Sequence, residues 1–119
     1  MNHFSLESLR SIDGYIAGAL VDCDSGMLMA GDSNAQIDLD LAAAGNAEVV
    51  RAKRKVIEAL KINETIEDIL ISLERQYHLI RPLESNKGVF LYVIIDRSRS
   101  NLAMARHHLK GFEKSLDFS

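Results

Sequence analysis

The sequence predicts a three-layer α/β/α domain around a five-stranded, largely antiparallel sheet. Three observations carry that prediction. Apolar, strand-like runs are joined by turn sequences too short to hold a crossover helix. Helical periodicity fills the remaining segments, in the order helix, two strands, helix, three strands, helix. The 119 residues suffice for one core, so a single domain is expected over 1–119.

Composition narrows the class. Hydrophobic residues make up 47 % and charged residues 26 %, ordinary values for a globular chain. The net charge of −3 leaves no global footprint for nucleic acid. No run approaches the roughly 18 apolar residues of a membrane span. The opening MNHFSLESLR lacks a basic region followed by an apolar stretch, which argues against a signal peptide. Cys23 is the sole cysteine, so no internal disulfide forms, and a reducing cytoplasm is the expected location. There is no internal repeat and no low-complexity linker.

Ser5 is placed to cap a short first helix over residues 5–12. Phe4 and Leu9 would staple it, with Leu6, Leu9 and Ile12 facing inward. YIAGALVD, Tyr15 to Asp22, then reads as a strand, CDSG as a turn, and MLMAG as a short return strand. Gly14 and Gly18 leave room for something to pack closely over the first strand.

The longest helix is expected over about Asp38 to Lys61. At about 100° per residue, Leu39, Ala42, Val49, Val50, Val56, Ile57 and Leu60 share one arc. Leu41, Ala52 and Ala59 widen it beyond half the circumference. A single sheet contact rarely needs so wide a stripe, so two neighbours are expected: the helix's own sheet and a partner helix. Asn46 and Lys53 lie inside the arc. Glu48, Arg51, Arg54, Lys55 and Glu58 fall on the opposite, outward face.

Three strands follow, about Ile66–Glu74, Tyr77–Leu83 and Val89–Asp96. In ILISLERQYHLIRPL, Ile69, Ile71 and Leu73 share one face, and Leu70 and Ser72 the other. Pro82 cannot donate to a ladder and belongs at a strand end or bulge. NKG, Asn86 to Gly88, supplies the next turn. VFLYVIID is apolar on both faces, as in a central strand covered from both sides. A last helix begins near Ser98 or Ser100. Its stripe of Leu102, Ala105, Leu109, Phe112 and Leu116 is narrow, so this helix should pack on the sheet with a wet outer face.

Chemistry-bearing patterns fail on spacing. DCDSGM, Asp22 to Met27, opens like a calcium loop, yet the required sixth-position glycine is Met27 and the twelfth-position glutamate is Ser33. His107 and His108 are adjacent and diverge by about 100° on a helix, so they do not share a metal. His78 reads as an interface or surface histidine. Cys23, flanked by Asp22 and Asp24, should have a raised thiol pKa, the wrong direction for a nucleophile. There is no GxxxxGK[ST] loop and no dinucleotide fingerprint. RAKRK, Arg51 to Lys55, splits around a helix and lacks interleaved aromatics, which favours a solvated or protein-docking face over nucleic acid. We therefore expect no catalytic residue, no cofactor and no metal.

The ordered set of segments resembles the Roadblock dynein light-chain family. GALVDCDSGMLMAG resembles its first hairpin and LDLAAAGNAEVVRA the start of its long helix. ILISLERQYHLIRPL and GVFLYVIIDRSRSNLAMARHHL resemble its third to fifth strands and last helix. The resemblance covers roughly residues 5–116. It implies a homodimer, or a heterodimer of two such domains, in which third strands pair across the dimer and long helices pack side by side. With no extension around the domain, the chain resembles the prokaryotic members, which are similar to regulators of small Ras-like GTPases.

On that basis Asn46, Val49, Lys53, Val56, Ile69, Ile71 and Leu73 are the expected dimer interface. Arg51, Arg54, Lys55 and Glu58 are the expected contacts to a GTPase. The alternative is a small-molecule-sensing, profilin-like domain, which would need a ligand cavity. An enzyme would need a converging base and nucleophile, and no such set is present.

Overall fold

The computed structural model describes residues 4–118. The extreme ends of the domain expected over 1–119 lie outside the described residues. Five strands, β1 (Tyr15–Asp22), β2 (Leu28–Ser33), β3 (Ile69–Ser72), β4 (Gln76–Pro82) and β5 (Val89–Asp96), form one sheet in the order β2-β1-β5-β4-β3. Every neighbouring pair is antiparallel. One long helix, α1 (Leu39–Ala59), lies on one face. A second, α2 (Leu102–Lys114), and a short 3-10 turn (Glu7–Ser11) lie on the other.

β5 is the central strand, and Val89 to Ile95 are buried on both faces, as the unbroken apolar run requires. Alternate residues feed two cores. Leu91, Val93 and Ile95 meet Leu6, Leu9, Ala105, Leu109 and Phe112; Phe90, Tyr92 and Ile94 meet Ala43, Ala47 and Val50. Close packing over β1 rests on two glycines. Gly14 sits at φ +80°, and a Cβ there would come within 2.9 Å of the Asp96 carbonyl oxygen. At Gly18 a Cβ would meet the Tyr15 hydroxyl at 3.0 Å and Leu9 Cδ1 at 3.2 Å.

Several boundaries differ from expectation. The first helix is a 3-10 turn of five residues, and Ser5 takes only the Glu7 amide, at 3.4 Å. A segment that short buries Leu6, Leu9 and Ile12 without an α-helical turn to propagate. β3 is four residues long, not nine, so Ile66 and Leu73 fall outside it. Pro82 does close β4, paired with Phe90. The last helix is capped by Asn101, whose side chain accepts the Met104 amide at 3.1 Å, and Ser98 and Ser100 lie before it. Ser98 instead donates to Asp96, which caps a separate 3-10 turn at Arg97–Arg99.

Candidate functional site

The wide apolar arc of α1 resolves into two stripes. Asp38 caps the helix by accepting the Leu41 amide at 3.0 Å. Beyond that cap, Ala43, Ala47 and Val50 are fully buried against the sheet, with Leu39, Ala42 and Ile57 half-buried beside them. The alanines expected only to widen the arc are not the buried ones. Ala43 and Ala47 carry the sheet contact because a helix crossing a sheet closely has room only for small side chains.

The second stripe faces nothing among the described residues. Leu41, Val49, Val56 and Leu60 are exposed by 70, 39, 45 and 63 %. Between them Gly45, Ala52 and Ala59 are exposed as well. Gly45, Val49, Ala52, Val56 and Ala59 follow one another at steps of four, three, four and three. That is the spacing of a helix–helix seam, with small residues every seventh position. A Cβ on Gly45 would have no neighbour within 4 Å.

The same side of the molecule carries an open sheet edge. β3 pairs only with β4, and its outer edge is free among the described residues. Ile69 and Ile71 point to the α1 face and are only half-buried; Leu73, just past the strand, is 43 % exposed. Arg106 of α2 reaches around to hold Asp68, just before β3, through Nε at 2.9 Å and Nη2 at 3.2 Å.

Polar residues of α1 divide differently from expectation. Asn46 is half-buried beside the Tyr92 hydroxyl, whereas Lys53 is exposed. Arg51 and Arg54 do not project outward. Arg51 Nη1 donates to the Cys23 carbonyl at 2.6 Å, and Arg54 Nη2 to the Lys87 carbonyl at 2.9 Å. They tie α1 to the two turns at the end of the sheet, so of the basic run only Lys53 and Lys55 are fully exposed charges. Glu58 is exposed too.

The other singled-out side chains have structural partners. Asp22 organises the hairpin, accepting from the Asp24 amide at 3.3 Å and the Ser25 hydroxyl at 2.7 Å. Cys23 is buried, and burial is the main cause of its raised thiol pKa; Arg54 and Arg51 oppose it, and Asp24 and Asp22 add less than expected. His108 Nε2 lies 3.2 Å from the Ser11 hydroxyl, which donates to the Ser8 carbonyl at 2.8 Å. His107 is exposed. Among the described residues no three His, Cys, Asp or Glu side chains are arranged to hold a metal, and no helix is long and apolar enough to cross a membrane.

Two features escaped the sequence. One is a polar chain through His78, whose Nδ1 lies 2.8 Å from the Tyr92 hydroxyl and whose Nε2 lies 2.9 Å from Gln76 Oε1. Pairing of Ile80 with Tyr92 was needed to see it. The other is a cleft of about 540 Å³ past the end of α1, with Ile57, Ile62, Ile66, Pro82 and Leu83 among its walls and Arg54, Glu58 and Lys87 beside them.

No protein-family model matches the sequence, and comparison with curated proteins finds no significant match. Solved structures do match. A Roadblock/LC7 domain from Streptomyces avermitilis is similar over 92 % of this chain and 88 % of its own, at 15 % identity and a TM-score of 0.80. The gliding protein MglB of Thermus thermophilus is similar over 92 % and 80 %, at 18 % identity and a TM-score of 0.76. Myxococcus xanthus MglB is similar over 84 % and 78 %, at 23 % identity and a TM-score of 0.74.

Proposed function

We propose that this chain, whose fold is that of the Roadblock/LC7 domain, is a non-enzymatic platform that pairs with a second copy of itself and regulates or scaffolds a small Ras-like GTPase. What supports the pairing is that the exposed α1 seam lies on the same face of the sheet as Ile69 and Ile71 of the open β3 edge. A second copy related by a two-fold axis would pair β3 with β3 and extend the sheet to ten strands. It would set α1 beside α1, covering Val49, Val56, Ile69 and Ile71 in one step. Gly45, Ala52 and Ala59 allow the two helices to approach closely. An unpaired apolar edge left in water invites aggregation, which such pairing prevents.

The GTPase assignment rests on the family resemblance, supported by the likeness to bacterial MglB structures. Lys55 and Glu58, exposed and away from the seam, would meet the GTPase from both copies. Arg51 and Arg54 contribute by holding that part of α1 in place. Sedimentation at micromolar concentration tests the first half: one species of twice the chain mass is expected, and Ile71→Lys should dissociate it. A clean monomer sinks the reading. For the second half, a host Ras-like GTPase loaded with GDP or a GTP analogue is titrated onto the dimer. Lys55→Glu should weaken binding by more than about tenfold, or roughly 1.4 kcal/mol, and more at low salt. Equal binding by the variant places the docking site elsewhere.

The cleft beside Ile57 and Ile62 favours a second reading, a small-molecule sensor, since its volume of about 540 Å³ is that of a ligand pocket. A small molecule released when the purified protein is denatured, and seen by mass spectrometry, would support it.

A further inference from the structure

We infer that the side-chain relay Tyr92–His78–Gln76 makes the second-copy surface proton-sensitive, so that the pair holds while His78 is neutral and loosens when His78 takes a proton. The inference rests on the pairing proposed above and concerns the regulation of that same surface.

His78 lies on β4 opposite Ile71 of β3 and Ile94 of β5. It is half-buried on the α1 face of the sheet, next to the open edge. The proton positions follow from the Gln76 end of the relay. Gln76 Oε1 can only accept, so His78 Nε2 carries the ring hydrogen, at 2.9 Å. His78 Nδ1 is then the acceptor of the Tyr92 hydroxyl, 2.8 Å away. In this tautomer every donor meets an acceptor.

A second ring proton must go to Nδ1, where it faces the Tyr92 hydroxyl. The Tyr92 oxygen would then accept from His78, and its own hydrogen would lose its acceptor. Tyr92 is 97 % buried, since only 3 % is exposed, so that hydrogen does not reach water. The new charge meets no counter-ion among the described residues. Ile71 of β3, Gln76 of β4, and Tyr92 and Ile94 of β5 lie around His78. The β3–β4 turn adds Glu74 and Arg75. No charged group among them moves the imidazole pKa, which burial alone pushes below its ordinary value.

A second copy seated on β3 would remove more water from His78 and push its pKa further down. A lowered histidine pKa favours the neutral form, so the contribution to pairing is complete above the lone chain's own lowered His78 value and is lost as pH falls below it. His107 and His108 lie on α2, across the sheet, and serve as internal controls.

The test measures the dimer dissociation constant of the full chain by sedimentation, at about pH 7.5 and about pH 5, bracketing histidine titration. The constant should rise more than tenfold in acid. In His78→Asn, which keeps an acceptor near the Nδ1 position and does not titrate, the rise should fall below about twofold. In parallel, NMR titration of the unaltered chain should give a His78 pKa that drops as protein concentration increases, while those of His107 and His108 stay put. A dimer equally tight at both pH values, a pH response retained in His78→Asn, or a concentration-independent His78 pKa overturns the inference and leaves the pairing standing. A monomer at about pH 7.5 overturns the pairing and the inference together.

Discussion

Arg81 and Glu113 are the charged residues buried in the described core. Arg81 Nε meets Glu113 Oε1 at 3.3 Å, and Glu113 Oε2 accepts the Glu84 amide at 3.0 Å. Glu113→Ala strands a buried guanidinium and an amide, and should destabilise by about 3–5 kcal/mol in urea unfolding. Glu113→Gln, which keeps an acceptor, should lose less. At the surface, Arg10 bonds both Asp32 oxygens and Tyr15 adds a further bond at 2.9 Å. The Arg10 bond is the main reason the Asp32 carboxyl is held below the usual range. Asp32 thus contributes stability that is present above the ordinary carboxylate value and lost as pH falls through its lowered one. Asp32→Asn should flatten the acid limb of a stability-against-pH curve in that range. Lys61 ends α1 at φ +57°, where glycine is usual, with the Ile62 amide reaching back to the Ile57 carbonyl. Lys61→Gly should raise stability by about 1 kcal/mol in the same unfolding assay. None of these pairs was legible in the sequence. Residues 81 and 113, or 10 and 32, share no local pattern, and only the folded topology brings them together.

Among elements, legibility followed burial. β5 and β1 are apolar throughout, and their limits match the sequence reading. β3 was expected too long because Ile66 and Leu73 continue its apolar run, although neither takes part in the ladder. The surplus of apolar surface on α1 was legible, but its division was not. A helical wheel registers how many faces are apolar and is silent on which one meets the sheet, and here small alanines do so. Gly45 lets that division be tested. In an exposed helix a glycine is about 1 kcal/mol worse than alanine, and among the described residues outside its own helix backbone nothing lies within 4 Å of a Cβ placed on this one. Gly45→Ala should therefore raise the stability of the separated chain by about 1 kcal/mol in denaturant. If helices meet at Gly45, it should also weaken the pair, read as a higher dissociation constant in sedimentation. Opposite signs from one methyl group would separate folding from assembly; a change in stability alone would move the contact away from this turn of α1.

The molecule as a whole is tied together by its last strand. β1, at Tyr15–Asp22, finds its inner partner only in β5, at Val89–Asp96, and β4 pairs with that same strand. A ribosome adds roughly 5–20 residues per second, so the opening hairpin and the long helix wait for seconds, apolar faces uncovered, before the centre of the sheet exists. The nascent chain is thus unfinished until β5 has been made, and a polypeptide stopped after Gly88 should be degraded by protease as readily as an unfolded one. Protection should return once Asp96 has cleared the exit tunnel, and the interval between those two moments is when this protein most needs a chaperone.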